Sequence, residues 1–204
     1  MINFTDITGL ASDTIAICAL VLRLPGVARL QKWPLALLLC TIAIVTLIPF
    51  GSLPLAAYLR GVTGDLSIIS LVLLALAILK PLAGWSPPDD RSKIALLFLI
   101  VLAAAGLYPM ALGLGYFDPY SLGYGNGWCI GGLLLLALAA CYYRRALLAF
   151  AIALAVLAWS VGWYESTNLW DYLLDPWLAV YALGALLRRG IQTLLAPRRG
   201  YSAR

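Results

Sequence analysis

The feature that most constrains this chain is a succession of apolar runs, each close to the length of a bilayer-crossing helix, separated by short basic or aromatic connections. A membrane-spanning helix needs about 20 mostly apolar residues, because its backbone groups must satisfy one another across about 30 Å of hydrocarbon. Such runs occupy Pro34–Phe50, Leu66–Leu82, Ile94–Gly113, Cys129–Tyr143, Ala146–Trp163 and a C-terminal stretch ending at Leu187. A seventh, Thr14–Leu24, is short and is broken by Pro25-Gly26. Extended back to Ile7 it reaches spanning length; otherwise it is re-entrant or interfacial. The sequence therefore predicts an all-α, polytopic membrane helical bundle of six spans plus this N-terminal seventh. It forms one integral membrane domain over residues 1–204, with a short tail from about residue 188. Composition points the same way. The chain is 63% hydrophobic and 11% charged, against about 45–50% and roughly 25% in soluble domains, more apolar surface than one water-soluble core of this size can hide.

The fourth and fifth runs are joined only by Tyr142-Tyr143-Arg144-Arg145. A continuous helix over both would be about 50 Å long and would hold two arginines at mid-membrane. A tight helical hairpin is the expected alternative.

Orientation follows from the basic residues. If the helices alternate, Arg23, Arg29, Lys32, Lys80, Arg91, Lys93, Arg144, Arg145, Arg188, Arg189, Arg198, Arg199 and Arg204 fall on one side and only Arg60 on the other. An excess of Lys and Arg marks cytoplasmic connections, so the C-terminus is expected in the cytoplasm, with a bacterial inner membrane as the expected setting. Trp33 and Trp85 then lie at the inner boundary, and Trp128, Trp159, Trp163, Trp170 and Trp177 at or near the outer one.

Several chemistries are excluded or disfavoured. The chain has no histidine, which rules out His-ligated haem or zinc and Ser-His or Cys-His catalysis within it. Cys18, Cys40, Cys129 and Cys141 form no CxxC pair and read as small buried hydrophobes. No cofactor or metal site is expected. Nucleic acid is not an expected partner, because the basic residues sit in short loops between apolar runs. The span cores carry almost no ionisable groups, which disfavours an ion-coupled transporter. No basic run precedes the first apolar run, so a cleavable signal peptide is not expected.

Chemistry, if present, belongs to the outer connections GSLPLAAYLRGVTGD (51–65), LGYFDPYSLGYGNGW (114–128) and YESTNLWDYLLDP (164–176). Asp118-Pro119 and Asp175-Pro176 read as helix N-caps followed by proline at the first helical position, and Asp65 as the cap of the helix beginning at Leu66. A helix from Thr167 would place Asp171 and Asp175 on one face. Only twelve residues separate Asp175 from Arg188, about 18 Å of helix, so the 168–175 turn must dip into the outer leaflet or be covered by other helices. Candidate acid/base or catalytic residues are Asp171, Asp175 and Glu165. Candidate ligand contacts are Arg60, as an anion clamp or as the partner of Asp65, with Asp65, Asp118, Tyr124 and Trp170. Gly127 and Gly131 fit the small-xxx-small pattern of membrane helix packing.

Three functions compete. The expected one is a non-catalytic membrane subunit, or an assembly or anchoring factor, for a process at the outer (periplasmic) face, with a membrane or periplasmic protein partner and membrane lipid around it. The alternative is a membrane-embedded enzyme acting on a lipid-linked or phosphate-bearing substrate at the outer leaflet. The third is a transporter of a small solute or lipid.

Overall fold

The computed structural model describes residues 4–84 and 89–195, and helices make up 79% of those residues. Trp85 and the arginines Arg198, Arg199 and Arg204 of the charge and aromatic pattern lie outside those residues. Nine α-helices are present among the described residues: α1 Phe4–Val21, α2 Lys32–Leu47, α3 Leu55–Thr63, α4 Ile68–Ala83, α5 Asp90–Pro109, α6 Gly127–Tyr142, α7 Ala146–Ser160, α8 Leu169–Leu173 and α9 Pro176–Leu195. A two-residue antiparallel ribbon, Pro49–Phe50 with Leu53–Pro54, turns α2 into α3.

Three helices are long and apolar enough to cross a membrane by length and composition: α1, α5 with its π-type extension to Leu114, and α9. Helices α2, α4, α6 and α7 are apolar but have only 15–16 residues, roughly 23–24 Å at 1.5 Å per residue. The N-terminal segment thus forms a longer helix than four of the runs that look clearer in sequence. Its hydropathy is depressed by Thr8, Ser12, Asp13 and Thr14, all of them buried, so what looks like a weak span is a helix with polar residues turned inward.

Helix α7 sits at the centre, against α4, α5, α6 and α8. Its Ala151, Ala155 and Ala158 are buried with Leu148 and Ile152, and these small side chains allow neighbouring backbones to approach closely. The core extends over Ile69 and Val72 of α4, Leu96 and Ile100 of α5, and Leu178 and Ala182 of α9. A smaller cluster of Cys18, Leu22, Leu35 and Leu39 joins α1 to α2. By contrast, α6 buries only Ala140. Cys18 is buried, but Cys40 and Cys141 are exposed, which corrects the reading of all four cysteines as buried; both sit on apolar helices, on sides that the described residues leave open.

The connection Tyr143–Arg145 makes the expected hairpin. Arg144 has φ 55, the Arg144 amide donates to Cys141 and the Arg145 amide donates to Ala140 at 2.7 Å. This is a Schellman closure with arginine in the left-handed position usually given to glycine. At the far end α9 runs through Arg188 and Arg189 to Leu195, beyond the Leu187 limit read from sequence.

The ends of the bundle are chemically distinct. Arg145 pairs with Asp89, Arg189 with Asp90, and the Ser92 hydroxyl accepts from the Leu147 amide at the start of α7. Arg23, Lys93, Arg188 and Arg189 line one cleft. The exit of α1, the starts of α5 and α7, and the last turns of α9 therefore share one end, called the basic end below. Arg60 lies at the opposite end, among carboxylates.

Candidate functional site

The N-terminal half of α1 organises the end that carries Arg60. Thr8 donates to the Trp163 carbonyl, the Ser12 hydroxyl hydrogen-bonds with the Tyr164 hydroxyl, and Thr14 reaches Thr46 of α2. Tyr164 in turn donates to the Leu66 carbonyl at 2.8 Å. Helix α1 thus ties together α2, the start of α4 and the connection after α7. Burial pushes the Tyr164 phenol above its ordinary range, so it stays a neutral donor.

Arg60 is engaged within the chain. Its guanidinium forks onto Asp65, with Nε–Oδ1 2.7 Å and Nη2–Oδ2 3.2 Å, and reaches Asp6 at 3.5 Å. Hydrogen bonding to Asp65 holds the guanidinium above its ordinary pKa. The pairing of Arg60 with Asp65 that the sequence suggests is present in the structure. Asp65 does not cap α4: the cap is Ser67, whose hydroxyl accepts from the Ser70 amide. Gly9 of α1 packs on the guanidinium, and a methyl there would lie 2.6 Å from Arg60 Cζ. Gly9→Ala is expected to dislodge the arginine and destabilise the fold by about 1–2 kcal/mol. Gly61→Ala, on α3 with open space around it, is expected to be neutral or stabilising by about 0.5 kcal/mol. Thermal unfolding in detergent compares the two.

Beneath this ion pair lies a carboxylate absent from the sequence-derived candidates. Asp13 is 1% exposed. Its Oδ1 accepts from Thr63 at 3.2 Å, and its Oδ2 has no hydrogen-bond partner among the described residues. An ionisable side chain inside a membrane-length helix is itself a signal of function, and that signal was legible at Asp13. The Tyr108 hydroxyl is the other buried polar atom without a described partner. It lies within electrostatic reach of Asp171 and Asp175, and nothing local in the sequence marks it.

Asp171 and Asp175 are brought to the same end but do not share a helix face. Helix α8 stops at Leu173, and Leu174 is extended (φ −144, ψ 134), which turns the two carboxylates to different partners. Asp171 accepts from the Tyr120 hydroxyl at 2.9 Å and from Ser166 at 2.5 Å. Burial, followed by this bond to Asp171, pushes the Tyr120 phenol well above its ordinary range. Asp175 receives four donors: the Ser67 amide and hydroxyl, the Ser70 hydroxyl, and the Leu178 amide of α9. It caps α9 as the sequence suggests and also holds the start of α4. Its charge thus faces two helix N-termini, where the backbone dipoles favour an anion.

The remaining candidates are dispersed. Asp118 caps a 3-10 turn over Pro119–Gly123 by accepting from the Tyr120 amide. Tyr124 is exposed, with its ring edge-on to Tyr120. Trp170 donates from its indole to the Pro119 carbonyl. Glu165 is exposed. No cluster of three metal-ligating side chains occurs among the described residues. No protein-family model matches the chain, and comparison with curated proteins and with solved structures returns no match.

Proposed function

We propose that the chain is a multi-pass integral membrane protein acting as a non-catalytic subunit or assembly factor, with its carboxylate-rich end at the outer face of a bacterial inner membrane. In this reading α1, α2, α4, α5, α6, α7 and α9 all cross the membrane, and the basic end, with the C-terminus, is cytoplasmic. The shorter helices match the hydrocarbon by recruiting flanking apolar residues and by local thinning, at a modest energetic cost.

One observation carries the non-catalytic reading. Asp65, Asp118, Asp171 and Asp175 already accept hydrogen bonds that cap helices or tie connections together. A general acid or base needs a face open to substrate, and these carboxylates are engaged with their own chain. The partner is suggested by α6. Added methyl groups at Gly127 and Gly131 would meet nothing within 4 Å, and Trp128, Leu134, Leu135 and Leu138 on the same helix are exposed. A small-xxx-small face without a neighbour among the described residues suits a helix from another subunit.

The test is mass spectrometry of the protein purified gently from its native membrane, with wild type compared with Gly131→Leu. A stoichiometric protein partner lost in Gly131→Leu is the expected result; a partner-free wild type sinks the subunit reading. Orientation is tested separately in a cysteine-free background. Thr167→Cys should react with an impermeant thiol reagent in intact cells, whereas Gln31→Cys should react only after permeabilisation. The reverse pattern would invert the topology.

The alternative, an enzyme acting on a lipid-linked substrate at the outer leaflet, draws on Asp13, whose second oxygen is uncommitted beside the Arg60–Asp65 pair. It requires Asp13→Asn to abolish the associated phenotype at unchanged protein level.

A further inference from the structure

At the basic end, two hollows meet. A cleft of about 400 Å³ is lined by Arg23, Lys93, Arg188 and Arg189, with Asp90 and Tyr181 at its side. Arg23, Lys93 and Tyr181 also line a second hollow, a groove of about 660 Å³. Lys80 stands at its basic end, and its walls are apolar side chains of α1, α4 and α9, including Ala19, Leu73, Ala77 and Leu178. At its other end the groove reaches Ser70 and Trp177, where Asp175 ties α4 to α9. From Ser70 to Lys80 is ten residues of helix, about 15 Å, or about half of the 30 Å hydrocarbon thickness.

We infer that this composite hollow binds an anionic phospholipid of the leaflet at the basic end, with its phosphate in the cleft and an acyl chain along the groove. The charges are complementary. Among the described residues Asp90 pairs with Arg189, and no carboxylate lies within ion-pair distance of Arg23, Lys80, Lys93 or Arg188. The guanidinium forks of Arg23 and Arg188 suit phosphate oxygens, and basic pockets between membrane helices bind anionic headgroups. A groove of this volume, walled by aliphatic side chains of α1, α4 and α9, suits a flexible hydrocarbon chain. An acyl chain is slender enough, and the groove falls within the roughly 300–1,000 Å³ typical of small-molecule sites. Ala16, Ala19 and Ala77 leave the space that larger side chains would fill. The bound lipid would fill the gap between α4 and α9, whose first turns Asp175 ties together at the opposite end. This site is at the opposite end from the proposed partner-dependent activity and stands independently of it.

The experiment is lipid retention by native mass spectrometry of the purified full chain, offered phosphatidylglycerol or phosphatidylcholine. Phosphatidylglycerol should be retained preferentially, and Arg23→Gln and Lys93→Gln should each weaken it about fivefold. Ala77→Phe, with Ala19→Leu as a second blocker should the first fail to fold, should reduce phosphatidylglycerol retention while leaving inorganic phosphate competition for the cleft unchanged. Equal retention of the two lipids, unaffected by the charge variants, overturns the proposal. So does complete displacement of the lipid by inorganic phosphate with no effect of the groove blockers, since the cleft would then be an anion site without a lipid.

Discussion

Asp175→Ala is expected to be the most damaging single substitution at the end opposite the basic one, lowering stability by about 3–5 kcal/mol. Asp175 is 4% exposed and Ser67 is fully buried, so the donors left behind are shielded from bulk water. Loss of a helix cap costs about 1 kcal/mol. Each buried donor left without an acceptor adds roughly 1–3 kcal/mol, and here the Ser67 and Leu178 amides are both deprived. The two serine hydroxyls can rotate towards other acceptors, so their share is smaller. No basic side chain pairs with Asp175 among the described residues, so its removal strands no buried cation. Asp175→Asn keeps one acceptor oxygen but points an NH₂ group at donors, and its loss should be intermediate. Ser70→Ala removes a single donor and should cost about 1 kcal/mol. Thermal unfolding in one detergent ranks the three. If Asp175→Asn instead abolished function while unfolding like wild type, the carboxylate would be serving chemistry rather than architecture.

The existence of most helices was readable because an apolar run of 15 or more residues has few other fates. What failed was the reading of polar residues within or beside such runs. Thr8, Ser12 and Thr14 lowered the apparent quality of α1, yet each bonds to a partner far away in sequence, and a hydropathy window cannot see partners. Arg188 looked like a helix end, whereas α9 continues past it. Arginine is a good helix former, and its long stem lets the charge reach the interface.

Local capping was legible where its grammar is local, at Asp118-Pro119 and Asp175-Pro176. The second half of the work done by Asp175 was not, since Ser67 and Ser70 lie over 100 residues away. The proposed i,i+4 pairing of Asp171 with Asp175 failed because one extended residue, Leu174, intervenes. Gly127 and Gly131 were legible as a packing motif, but the sequence does not say that no described residue packs against them. Asp13 shows the converse: its position in a span was visible, while its lack of a second hydrogen-bond partner depends on what α3 brings alongside.

Gly123→Ala is expected to be the second most damaging change, and it tests whether the connections at the end opposite the basic one form one interlocked cap. Gly123 is buried, and a methyl built on it falls inside the Asn168 side-chain amide and against the Trp170 ring. That amide is already committed at both ends. Its Nδ2 donates to the Tyr120 carbonyl and its Oδ1 caps α8 through the Trp170 amide. It therefore cannot swing aside without giving up two bonds. The methyl must push the 3-10 turn at Pro119–Gly123 away from residues 166–171, threatening the Tyr120–Asp171 and Trp170–Pro119 contacts as well. Overpacking costs about 1–3 kcal/mol and a lost cap about 1 kcal/mol, so destabilisation of roughly 2–4 kcal/mol is expected. Faster proteolysis within the 161–175 connection should accompany it. Gly127→Ala, whose added methyl meets open space, should leave both readouts unchanged, and equal behaviour of the two variants would dissolve the interlocked cap. The mechanism also predicts a rescue. Asn168→Ser keeps an oxygen able to cap α8 but removes the overlapping amide, so Gly123→Ala with Asn168→Ser should be more stable than Gly123→Ala alone. Such non-additivity is expected of residues in contact or in one hydrogen-bond network, and simple addition of the two losses would place the damage of Gly123→Ala somewhere other than at Asn168.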